Sequence, residues 1–409
     1  MKRKYPLHKI IIFFLYSILI FRLTFLPCSF WPGFQNVYLF YGLGVLITVL
    51  TVRDFFASKY FIWVAAYISI MLLNYLFQPD LNLGNILSEG FTIYFTSAIA
   101  YFLFFKDGNE TLCRWVLWEY IIILTIYSVQ TYSFYQSNST IVRASLMEYN
   151  YEKYLPFLML GLTPYFFPHA LSCVLPAFIS GIRANNKIIK KTLFVILLLL
   201  SIALIYMTQA TGAMSVAIFS IIIGILLSKT NYKHNLQKII IIGLLFMPFA
   251  LNQDLQYKLL NAASDFVGQE NLYMEKIDEL KSSVSGTAYS GDIDYRGRLL
   301  EKTLNTIASY PILGTDKRTY GNHNALLDRW AEYGLVGFIP IICLIFVFVR
   351  DIARKIPPDL KSFYLLGIIS NLVMMLTKSM FGWDQWFAFL VVLPIMISFS
   401  SENKTKKLC

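Results

Sequence analysis

Thr192–Met207 reads TLFVILLLLSIALIYM, sixteen residues without a charge, with Lys187, Lys190 and Lys191 just ahead of it. In water such a run would need protein around its whole circumference. In a bilayer, ~20 apolar residues cross the hydrocarbon as a helix that satisfies its own backbone groups. The pattern recurs along the chain. Hydrophobic residues make up 57% of the 409 and charged residues only 14%, with a mean hydropathy of +0.57. A soluble domain carries about 25% charged residues. The ~10-residue segments of alternating polarity that mark a membrane β-barrel are absent. The sequence therefore predicts an all-α, polytopic helical membrane protein.

Twelve transmembrane helices can be drawn, at 10–27, 34–52, 60–77, 86–105, 115–134, 154–180, 192–207, 213–228, 239–251, 333–349, 361–377 and 386–400. The sixth contains Pro156, Pro164, Pro168 and Pro176 and is expected to be kinked or re-entrant, because freed backbone groups need other partners in a membrane. The chain divides into helices one to nine (1–251), a large loop (252–332) and helices ten to twelve with a tail (333–409).

Basic residues set the orientation. Loops on one side hold 22 of the 35 Lys and Arg, whereas the short loops opposite hold only Arg143, Lys153 and Lys378. Both termini are thus expected in the cytoplasm, with the large loop outside. The net charge of +11 then reflects topology and contact with anionic membrane lipids, not nucleic acid. The start MKRKYPLHK resembles a signal peptide, but no small-residue cleavage site follows, so the first span reads as uncleaved. The five cysteines have no CxxC spacing and read as apolar filler. Arg22 is expected to snorkel or pair within the bundle, and His169 to be a hydrogen-bonded interior histidine.

The loop has the composition of a small soluble domain, with 10 acidic and 8 basic residues from Asn252 to Asn322. Helices are predicted over about 254–281 and 298–309, separated by a mobile SSVSGTAYSGDID stretch. No P-loop, GxGxxG or HExxH occurs, and His8, His169, His234 and His323 lie far apart, so neither a cofactor nor a metal is expected. Polar chemistry concentrates in Asp292–Glu332. There Arg296 and Arg298 precede a helix, a Pro-Ile-Leu-Gly turn ends it, and His323-Asn324 opens the next. Asn322 or Asn324 is a candidate helix cap. Arg329 is within reach of Glu332 at i,i+3. Pro311, Gly314, Gly334 and Gly337 read as residues that stop one helix and let the next pack closely.

This order of residues resembles the O-antigen ligase/polymerase family of bacterial inner-membrane glycosyltransferases. The matching pieces are Gly297-Arg298, Pro311-Ile312-Leu313-Gly314, His323-Asn324 and Glu332-Tyr333-Gly334-Leu335-Val336-Gly337, with fifteen residues between Arg298 and Gly314. The close motif spans about 40 residues, and the rest resembles the family in topology alone. One departure stands out: Gln209-Ala210-Thr211-Gly212 lies where relatives often carry Ser-Arg-x-Gly.

The resemblance implies a location in the bacterial inner membrane, with the large loop in the periplasm. It implies a donor glycan on undecaprenyl pyrophosphate and an acceptor that is a glycan or the lipid A core. Other polysaccharide assembly proteins are expected partners. His323 would be the general base and Arg298 would stabilise the leaving pyrophosphate. Arg296 and Arg143 are further candidates to bind substrate, with Arg318 less specific. Asn324 would orient the base or the acceptor. Glu332 would position an arginine or the acceptor sugar, or simply form a helix salt bridge. Polymerase is slightly favoured over ligase, and a non-enzymatic polysaccharide transporter is the competing class.

Overall fold

The computed structural model describes residues 7–77, 83–106, 110–137, 142, 151–227, 234–235, 237–238, 241, 253–267, 272–285, 292–315, 320–321 and 323–400. Among them the fold is helical with no strand. The first five helices are α1 (Leu7–Thr24), α2 (Val37–Thr51), α3 (Lys59–Phe77), α4 (Leu83–Phe105) and α5 (Glu110–Ser137). Then come α6 (Tyr151–Met159), α7 (Phe166–Ala184), α8 (Ile188–Met207) and α9 (Thr211–Leu226). The predicted loop supplies α10 (Gln253–Val267), α11 (Leu272–Ser285) and α12 (Asp292–Ser309). The chain continues through α13 (Ala325–Lys355), α14 (Lys361–Thr377) and α15 (Trp383–Ser400), the last with a buried π-helical stretch at Ala388–Val392.

Seven helices among the described residues are long and apolar enough to cross a membrane: α3, α4, α5, α7, α8, α13 and α15. The apolar part of α1, and α2, α9 and α14, are shorter apolar helices. The expected span at 239–251 lies outside the described residues apart from position 241. The stretch at 154–180, expected as a kinked span or a re-entrant pair, is two helices, α6 and α7. Gly161, at φ +98°, ends α6. Leu162 N bonds to Phe157 O (3.0 Å) and Gly161 N to Leu158 O (3.1 Å), the pairing that closes a helix through a left-handed residue. The core surrounds α7, which packs against α8, α9, α14 and α15 and buries Leu171, Val174, Leu175 and Phe178.

Polar contacts between helices define two ends of the bundle. At one end Tyr60 Oη donates to Asp351 Oδ2 (2.8 Å), Lys106 Nζ to Thr51 O (3.0 Å) and Asn235 Nδ2 to Ser362 Oγ (2.9 Å). Lys59 pairs with Asp351 there, and Lys355 reaches Phe104 O. Lys59, Lys106 and Lys355 are thus gathered at one end of the bundle. Lys106 also donates to Asp54 (2.8 Å), which holds that carboxylate below its usual range. At the opposite end Trp383 Nε1 donates to Thr24 Oγ1 (3.0 Å), Ala325 N to Lys378 O (2.9 Å) and Arg329 to Glu89 (2.5 Å). Arg22 is buried, donates to Phe34 O (2.6 Å) and lies over the Phe40 ring. His169 is likewise interior, with Nδ1 2.9 Å from Tyr165 O.

The predicted loop departs from its sequence reading in two places. The expected helix over 254–281 is the pair α10 and α11, which pack against each other. Two short amphipathic helices can turn their apolar stripes toward one another, which one long helix cannot. The expected helix at 298–309 begins at Asp292, so the Asp-rich end of the predicted mobile stretch is helical and 286–291 lies outside the described residues. Furthermore, α13 runs across the predicted boundary at 332–333 and bends at Gly334.

Candidate functional site

Residues 310–315 and 330–337 pack against each other around two glycines. Gly314 has φ +77°, and Gly334 has φ +61° with ψ −170°, conformations that favour a residue without Cβ. A Cβ on Gly314 would collide with the carbonyl oxygen of Glu332, and one on Gly334 with that of Ile312. Their close approach satisfies donors freed by the kink. Leu335 N bonds to Pro311 O (2.9 Å), Val336 N to Ile312 O (3.2 Å) and Thr315 N to Ala331 O (3.1 Å). Trp330 Nε1 adds a bond to Pro311 O (3.1 Å). Residues 311–314 and 332–337 thereby form one backbone clasp.

His323 and Asn324 sit between the halves of this clasp in sequence and are held by α12. Thr303 Oγ1 donates to Asp328 Oδ1 (2.9 Å) and accepts from Gly321 N (2.8 Å). Asp328 Oδ2 accepts from Asn324 N (2.6 Å). Asn324 occupies the N-cap position of α13, but its side chain makes no cap bond; the Asp328 carboxylate binds the backbone there instead. Gly321 is pressed so close to α12 that a Cβ would meet Leu299 O. Leu299 follows Arg298, and Gly321 precedes His323 by two residues, so the backbone carrying the histidine lies against the helical turn carrying the arginine. His323 itself is half-buried.

Arg296 and Arg298 do not precede a helix; both lie within α12. Two residues apart on a helix, they occupy different faces. Arg298 is exposed and lines an open cleft of ≈ 500 Å³ with Glu301, Lys302, Asn305, Ser309 and Tyr310. Arg296 is half-buried and close enough to His169 to act on it electrostatically. Arg143, Arg318 and Asn322 lie outside the described residues.

Glu332 is buried and joined to Arg329, whose Nη1 stands 2.6 Å from Glu332 Oε2. Arg329 Nη2 also reaches Glu89 Oε2 on α4 at 2.5 Å, and Tyr67 Oη on α3 donates to Glu89 Oε1 (2.5 Å). The guanidinium lies over the Phe381 ring, 5.2 Å from its centre. The buried Glu332 and the half-buried Glu89 thus share one guanidinium and join α3, α4 and α13 beside the kink. Sequence spacing anticipated the Arg329–Glu332 pair but missed Glu89 and Tyr67. The available signal was a lone carboxylate, Glu89, inside the apolar run 86–105. No three His, Cys, Asp or Glu side chains converge as a metal site among the described residues.

No protein-family model matches this chain, and no curated protein sequence matches it.

Proposed function

We propose that this protein is a membrane glycosyltransferase of the O-antigen ligase/polymerase type. In this reading it moves a glycan from undecaprenyl pyrophosphate to an acceptor sugar hydroxyl at the outer face of the bacterial inner membrane. The observation that carries the reading is the convergence of the motif. Residues 311–314 and 332–337 are clasped through Gly314 and Gly334, and the chain entering His323 lies against the turn that bears Arg298. The cleft beside Arg298 has the polar side chains and the aromatic ring of Tyr310 that suit a polyhydroxylated sugar. The basic residues at the opposite end of the bundle agree with cytoplasmic termini.

The acceptor hydroxyl oxygen attacks the anomeric carbon of the donor sugar, and its proton passes to His323. The bond from that carbon to the pyrophosphate oxygen breaks with its electron pair, and the lipid pyrophosphate departs. Arg298 offsets the charge that develops on the leaving group. Imidazole titrates near neutral pH and suits the base role. Glu332 acts by holding Arg329. A polymerase, whose acceptor is another lipid-linked glycan, is favoured over a ligase, whose acceptor is the lipid A core. The motif spacing fits a polymerase and the Ser-Arg element is absent.

A specific observation favours a second reading, a transporter of lipid-linked glycan. The Glu89–Arg329–Glu332 cluster is an ionisable network inside the helix bundle, where transporters keep such groups. Complementation of a null strain, scored on a polysaccharide gel, separates the two. His323→Ala and Arg298→Ala at matched expression should abolish long chains. Wild-type ladders from both variants would remove the catalytic assignment. A null strain stalled at single repeats indicates a polymerase, and one that accumulates uncapped long polymer indicates a ligase.

A further inference from the structure

Lys378 follows the end of α14 and is only 6% exposed. A lysine so buried ordinarily meets a carboxylate. Among the described residues its Nζ makes no hydrogen bond and no ion pair. The side chain passes over Gly212, where an added Cβ would stand 2.5 Å from Lys378 Cε and 3.4 Å from Nζ.

Gly212 is the second residue of α9. The N-cap position is Ala210, which makes no side-chain cap bond, and Met214 N is the donor to Ala210 O (2.9 Å). The N–H groups of Thr211, Gly212 and Ala213 therefore have no acceptor within the helix. An ammonium set beside the positive end of a helix is a repulsive arrangement until an anion bridges the two. The same residue is tied to the candidate site, because Lys378 O accepts from Ala325 N (2.9 Å), two positions after His323.

We propose that Lys378 and the first N–H groups of α9 form the seat of a phosphate-type anion, the diphosphate of a lipid-linked donor. The anion seat rests on geometry; the choice of donor rests on the glycosyl-transfer reading above. Lys378 thereby supplies a cation at the Gln209–Gly212 turn, which has none of its own. It is a binding residue, held so that the diphosphate lies beside the histidine.

The test is a binding titration of purified full-length protein in detergent with undecaprenyl pyrophosphate, undecaprenol and inorganic pyrophosphate. Wild-type protein should bind the diphosphate lipid at least ~tenfold more tightly than the alcohol, as a charge-assisted contact implies. Lys378→Gln should lose about that factor, and Lys378→Arg should keep most of it. Gly212→Ala, whose methyl pushes the lysine aside, should fall between them. Full preference for the diphosphate in Lys378→Gln overturns the lysine seat and leaves the glycosyltransferase reading standing. If inorganic pyrophosphate binding depends on Lys378 but the lipid diphosphate gains nothing over the alcohol, the seat stands and the donor assignment falls. Wild-type protein that binds neither anion overturns the seat. Size-exclusion profiles establish folding, and Gly212→Ala carries the same decision should Lys378→Gln fail to fold.

Discussion

Replacing Gly334 with alanine is expected to open the clasp on which the site is built. At φ +61° and ψ −170°, a residue with Cβ is strained by about 1–3 kcal/mol. The added methyl would also meet Ile312 O and Gly314 N, backbone atoms on the facing turn, which must move. That movement endangers the bonds from Leu335 N to Pro311 O and from Val336 N to Ile312 O, each contributing about 1 kcal/mol. The sum is about 3–5 kcal/mol, a large share of the ~5–15 kcal/mol that holds a typical domain together. Thermal unfolding in detergent, followed by intrinsic fluorescence, should show a clear downward shift. Gly297→Ala is the control, because nothing lies within 4 Å of its added Cβ. In the helical α12 this change should add up to ~1 kcal/mol. A Gly334→Ala protein that melts with the wild type would refute the account of the clasp.

Other perturbations address neighbouring parts. Arg329→Met leaves the buried Glu332 and the half-buried Glu89 without their shared cation and should cost about 3–5 kcal/mol; adding Glu89→Gln and Glu332→Gln should recover much of that loss in the same melting assay. Thr303→Val removes the bonds to Asp328 and Gly321. It should cost about 1–3 kcal/mol and loosen protease protection around His323. Asp54, held below the usual carboxylate range by its hydrogen bond from Lys106, contributes stability above its unfolded pKa. That contribution should fade only as pH falls below the ordinary value of 3.8, and Asp54→Asn should erase this part of the pH dependence of melting.

The all-helical class and its long apolar helices were legible because apolar runs bounded by basic residues leave few alternatives, and the helices α8 and α14 fall close to their expected ranges. The four prolines in 154–180 announced a break without fixing its place, which is set by the left-handed Gly161 and the close of α6 around it. The early start of α12 was hidden because Gly and Ser near Asp292 read as loop, although the helix continues through Arg296 and Arg298. That shift matters for the site, since it turns the two arginines onto different faces. The local order around His323 was readable from spacing, and so was Arg329 beside Glu332. Glu89 was not, because its partner is 240 positions away in sequence and a lone carboxylate has no periodicity to read. Lys378 escaped for the same reason, since its relation to Gly212 exists only after α9 and α14 pack together.

The central claim is that this chain makes a glycosidic bond with His323 as base and Arg298 at the leaving pyrophosphate. Purified protein in proteoliposomes, given an undecaprenyl-pyrophosphate-linked oligosaccharide and acceptor, tests it directly by release of undecaprenyl pyrophosphate and growth of the glycan. The account predicts both products from the wild type and a loss of about 10²-fold or more in rate for His323→Ala, with a marked loss also for Arg298→Ala. Wild-type rates from both variants, with the Gly334 clasp intact by melting, would contradict it.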